Sequence, residues 1–175
     1  MIRSSLFALM CVFPTNLSAQ HAHQDGAMPT EVGQATFASI SEIVEILNND
    51  SGTNWSKVNI DALRSHLLDM DRVTMRAEVD VTTNAKQVVF EVTASGAAVG
   101  SIQRMITAHS PMLAAETGWD VQVAETSNGM TMTITVDQNH AFLRVNGLGF
   151  FGVMTIGSLH QEHHLMIATG SNPHH

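Results

Sequence analysis

Histidine and methionine are the residues with chemistry to offer in this chain, which has 10 His and 11 Met but a single Cys and no Tyr. His160 and His164 stand four apart, so on a helix their imidazoles project from one face about one turn apart, a spacing that chelates a metal. His163 either joins that face or addresses a second one, and Met166 adds a thioether close by. The pairing recurs upstream, where His66 is followed by Met70 and His109 by Met112. Imidazole ligates zinc, copper, iron and nickel, and thioether shifts the preference towards copper(I).

Each of these residues also has a plainer reading. A single histidine on an apolar stripe is commonly a hydrogen-bonded core residue. Methionine at helical spacing is adaptable core filler, and Met105, Met112, Met130, Met132 and Met154 are read that way by default. The HxxHH run could be a partly solvated helix end that titrates near neutral pH. Coincidence changes the balance, because several neutral imidazoles buried together leave many ring nitrogens in need of partners, and one metal satisfies them at once. The candidate ligands are therefore His66, Met70, His109, His160, His163 and His164; Asp69, Asp71 and Glu162 could accept behind them, but read more simply as solvated surface charges. His21 and His23 form a weaker accessory site near the start of the chain.

Other chemistries lack their signatures. The chain has no GxSxG, P-loop, GxGxxG or HExxH motif. Ser158 beside His160 is not a triad, since no orienting carboxylate or oxyanion donors can be assigned to it.

The elements that must position these residues can be read from periodicity. Phe37, Ile40, Ile43, Val44 and Leu47 recur at helical spacing before a turn-rich stretch at 48–54, which predicts a first helix. Asn59 caps a second helix running to Asp71, with Ala62, Leu63, His66, Leu67 and Met70 on one side. Val-rich stretches at 73–81 and 87–93 predict a hairpin, followed from Ala97 by a third helix that carries Val99, Ile102, Ile106, His109 and Leu113, with Pro111 bending or ending it. A second hairpin at 119–124 and 130–136 turns at Ser127-Asn128-Gly129, where Asn-Gly is a tight-turn signal. A fourth helical segment from His140 carries Phe142, Val145, Gly149, Val153 and Ile156 on one stripe. Ser158 and Gln161 restart a helix after Gly157, and Gly170 stops it.

The two hairpin-helix units superpose with a shift of about 44 residues, which raises the possibility of an internal duplication. The expectation is an α+β fold: two N-terminal helices, then two ββα units whose four-stranded antiparallel sheet packs against helices.

Length and charge bound the class. At 175 residues the chain fits one domain with a full core. The opening Met1-Ile2-Arg3, the apolar run 6–13 and Leu17-Ser18-Ala19 read as a secretory signal over 1–19. A flexible leader at 20–35, a single domain at 36–170 and a disordered tail at 171–175 follow. The apolar run is far short of the roughly 20 residues of a spanning helix, so no membrane span is expected. Cys11 lies in the signal, which leaves the mature chain without disulfide or thiolate chemistry. The net charge of −8, or −9 without Arg3, excludes a basic nucleic-acid footprint.

The strings WSKVNIDALRSHLLDM (Trp55 to Met70) and GFFGVMTIGSLHQEHHLMIA (Gly149 to Ala168) resemble a family of small, uncharacterised exported bacterial proteins. That resemblance implies a shared domain and supplies no mechanism. The HxxHH run also resembles the histidine-bearing last helix of the DinB-like metal enzymes, whose four-helix bundle has no place for the hairpins expected here.

The function expected from the sequence is a periplasmic copper-binding protein for storage, delivery or tolerance. One alternative is a zinc or iron enzyme with an open coordination position. The other is a metal-free domain that binds a partner or small molecule in an apolar groove.

Overall fold

The computed structural model describes residues 35–157 and 160–171, with the side chains of His160 and Gln161 left out of the description. The signal segment, the leader with His21 and His23, Ser158 of the expected capping box, and the tail at 172–175 lie outside the described residues. The elements run α1 (Ala35–Asn49), α2 (Ile60–Arg76), β1 (Glu78–Thr83), β2 (Gln87–Thr93), α3 (Ala97–Thr117), β3 (Asp120–Thr126), β4 (Gly129–Thr135), α4 (Asn139–Val153) and α5 (His160–Ala168). The fold is α+β, as the patterning predicts.

The four strands form one antiparallel sheet in the order β1-β2-β4-β3, so β2 and β4 are central. Their alternation is the reason. Val88, Phe90 and Val92 of β2 and Met130, Met132 and Ile134 of β4 are buried on one face, and Phe90 pairs with Met132 at the middle of the register. A one-residue slip would turn all six to the opposite face, which pins the pairing. The strands and helices of the two ββα units start at Glu78 and Asp120, Gln87 and Gly129, and Ala97 and Asn139. The offset is a constant 42 residues, two fewer than the sequence alignment suggests.

The first hairpin loop is closed by Asn84, whose side-chain oxygen accepts from the backbone N–H groups of Lys86 and Gln87. The second holds only Ser127 and Asn128, and no non-glycine residue among those described has positive φ. The Asn-Gly pair is thus not the centre of a mirror-image turn. Gly129 is needed for a different reason: a Cβ there would run into the carbonyl oxygen of Val92 and stand 2.9 Å from its carbon and 3.0 Å from Thr93 Cα.

Three other expectations shift. The second helix does not stop at Asp71 but continues to Arg76, and the first strand starts at Glu78 rather than Val73. Val73 continues the stripe of Leu63, Leu67 and Met70 and packs into the main core, so tertiary burial overrides its β propensity. Pro111 does not end the third helix, which continues to Thr117. The carbonyl that Pro111 cannot satisfy belongs to exposed Thr107, where water is at hand. The expected stripe through Gly149 is broken. That residue has φ 60° and ψ −175°, a region reserved for glycine, and it splits α4 in two. The break sends Phe150 into the core against Phe90 and turns the next residue, Phe151, outward.

Burial is divided between two clusters. The larger one joins the sheet to α3 and α4, and the smaller joins α1, α2 and α5 through Ile43, Leu47, Leu63, Leu67, Ile167 and Ala168. Helix α2 belongs to both. It starts at Asn59, whose side chain accepts from the Ala62 N–H at 2.9 Å.

Candidate metal centre

The clamp that sets α2 against α3 is ionic. Asp69 of α2 accepts from Ser101 Oγ at 2.8 Å, from Arg104 Nε and Nη2 at 2.8 and 2.9 Å, and from Arg72 Nη1 at 3.0 Å. Burial pushes the Asp69 carboxyl up, but the hydrogen bonds of Arg104 and Ser101, the Arg104 charge and Arg72 outweigh it and hold the group below its usual value. The bond to Asp69 in turn raises Arg104. This carboxylate, which the sequence offers as a solvated charge or as an acceptor behind a ligand, is instead engaged by two guanidinium groups and a serine. Asp71 accepts from Thr36 Oγ1 at 3.0 Å, and Glu162 is exposed.

One turn before Asp69, α2 carries His66, with Met70 one turn after it. Helix α3 answers with Met105, His109 and Met112, spaced four and three residues apart. The break at Gly149 brings in Phe151, Met154 and Thr155, and α5 adds His163 and His164. All ten of these residues line one cavity of about 230 Å³, together with Val73, Thr74 and Ala108. The cavity lies along the seam between the two apolar clusters. Met105 and Met154 pack on the larger cluster and Met70 on the smaller.

The histidines differ in depth. His109 and His164 are each 4% exposed, and their Nε2 atoms are shielded from solvent, while His66 and His163 are half-buried. Three imidazoles form a triangle. Ring centres lie 4.8 Å apart for His66 and His163, 5.6 Å for His66 and His164, and 6.3 Å for His163 and His164. Imidazoles sharing one ion, with metal–nitrogen bonds of about 2.0–2.1 Å, hold their centres about 5–5.5 Å apart. Two sides of the triangle lie close to that span, at 4.8 and 5.6 Å, and the third exceeds it at 6.3 Å. Among the described residues, no group of three or more His, Cys, Asp or Glu is arranged to hold a metal ion. Thioethers are outside those residue types, and the His160 side chain is outside the described residues.

Five of the six expected ligand residues thus line one cavity: His66, Met70, His109, His163 and His164. Met166 does not. It is 38% exposed, two residues beyond buried His164 and so about 200° round the helix from it. Met105, Met112 and Met154, whose default reading was core filler, are cavity wall. Met105 precedes His109 by four residues, a spacing visible in the sequence, whereas Met154 arrives only through the backbone break at Gly149.

Comparison with protein-family models, with curated proteins and with solved structures finds no match to this chain. The chemistry of the site therefore rests on its own geometry.

Proposed function

We propose that this protein binds copper, as copper(I), in the cavity between α2, α3, the end of α4 and α5, with a role in binding or tolerance rather than turnover. The observation that carries this reading is the convergence of four imidazoles and four thioethers on one cavity: His66, His109, His163 and His164 with Met70, Met105, Met112 and Met154. Thioether sulfur is a soft donor, poorly matched to zinc and well matched to copper(I). The lining residues carry no carboxylate. Since the cost of burying an ion grows as the square of its charge, a divalent ion among neutral donors meets about four times the desolvation penalty of a monovalent one.

The apparent export signal and the confinement of the only cysteine to it suit a periplasmic protein that handles copper without thiolates. The test is elemental mass spectrometry on mature, untagged protein, beside a His163→Leu/His164→Leu double variant. Near-stoichiometric copper that is lost in the variant is the expected result. Zinc or iron would favour a metal enzyme.

A second reading is favoured by the volume of about 230 Å³, which exceeds what one ion needs. In it, the cavity holds a small apolar ligand and the histidines supply its polar contacts. A metal-free preparation that takes up no copper(I) under anaerobic titration would leave that reading.

A further inference from the structure

A second depression adjoins the cavity. It is an open groove of about 830 Å³ between the first halves of α2 and α3, bordered by Glu125 of β3, by Ile167 of α5 and by Gly170 and Ser171 just beyond it. Small residues line it on both helices, Ala62 and Ser65 on α2 and Gly100 and Ala108 on α3. His66, Met105 and Ala108 line both spaces, so they form the partition between groove and cavity.

The cavity also reaches the surface elsewhere. At its other end stand exposed Thr74 and Thr155 and the half-exposed ring of Phe151, at 45%. The two openings offer a cation different things. An ion that leaves water needs replacement donors at each step of its path. The Phe151 opening offers an aromatic ring and two hydroxyls. The groove opening offers an imidazole and a thioether side by side, with the exposed carboxylate of Glu125 on the approach, while Asp69 and Arg104 of the same wall are paired with each other.

From this we infer that the groove is the loading port of the metal cavity: copper enters along the α2–α3 groove and is passed inward by His66 and Met105, and the Phe151 opening does not conduct it. The inference rests on the copper reading and adds a direction to it. His66 and Met105 act in transfer as well as binding, so variants in the groove itself separate the route from the site.

Thr107 and Ser65 are exposed and line the groove without touching the cavity, whereas Thr74 is exposed at the other opening. The experiment is anaerobic stopped-flow transfer of copper(I) from its coloured bicinchoninate complex to metal-free protein, for the wild type, Thr107→Trp, Ser65→Trp and Thr74→Trp. Thermal melts establish that each variant is folded, and the two groove variants back each other up. Expected are a loading rate at least tenfold lower in Thr107→Trp and Ser65→Trp, with copper uptake at equilibrium unchanged, and a wild-type rate in Thr74→Trp. Slowing in Thr74→Trp alone, or equal rates in all four proteins, overturns the port and leaves the copper site standing. If the wild type takes up no copper at equilibrium, the copper reading fails and the port fails with it.

Discussion

His66 on α2 and His163 on α5 hold their ring centres 4.8 Å apart with their planes inclined at 53°. Nearly a hundred residues separate them in sequence, and their contact joins the helix that spans both apolar clusters to the helix that closes the smaller one. The expected consequence is that they act together in copper binding. His66→Leu and His163→Leu should each weaken copper(I) affinity by about a hundredfold or more, at least the loss seen when groups behind a ligand are removed. The double variant should cost less than the sum of the two, because they share one ion. Competition against a chromophoric chelator measures all three.

The thioethers should determine which metal binds rather than whether the protein folds. Leucine replaces methionine at nearly constant volume, usually for less than about 1.5 kcal/mol per site. Met105→Leu/Met112→Leu/Met154→Leu should therefore stay folded, lose most of its copper(I) affinity and keep whatever zinc binding the imidazoles provide. Parallel titrations with the two metals report the ratio. An unchanged ratio would show that the sulfurs are packing alone.

The clamp at Asp69 should be visible in stability against pH. Its carboxyl is held below the usual value in the folded state, so its contribution is complete above the unfolded pKa of about 3.9 and is lost as pH falls through the lower folded value. Asp69→Asn should destabilise the protein by about 1–3 kcal/mol near neutrality, a range that allows for the solvent exposure of Arg104. That deficit should hold between pH 7 and pH 5 and shrink at pH 3. Urea denaturation at the three pH values measures it.

Gly129 marks where two backbones approach most closely. Gly129→Ala should destabilise by about 3 kcal/mol or more, above the usual overpacking cost, since the obstruction is the Val92 backbone and not a movable side chain. Asn128→Ala, in the loop beside it, should cost less than about 1 kcal/mol. Thermal melts of the two variants separate close approach from turn propensity.

The α+β class, the two ββα units and the histidine-bearing faces of α2, α3 and α5 were legible in the sequence because they depend on periodicity, and a stripe of period 3.6 or 2 assigns each side chain to a face whatever its neighbours do. His66, Met70, His109, His163 and His164 could be singled out on that ground. Element ends were less legible. Val73 reads as strand by composition and is helix because its partner lies in the core beneath the sheet.

Tertiary structure alone decided three things: that the stripes meet at one seam, that Met154 joins them, and that a groove opens beside the cavity. None of these is periodic. The first depends on how two apolar clusters divide one helix between them, and the second on a single glycine whose backbone angles break α4. The third depends on which residues of α2, α3, β3 and α5 come to border the same space. Local sequence determines which way a side chain points along its own helix, and only the packing of distant segments determines what it points at.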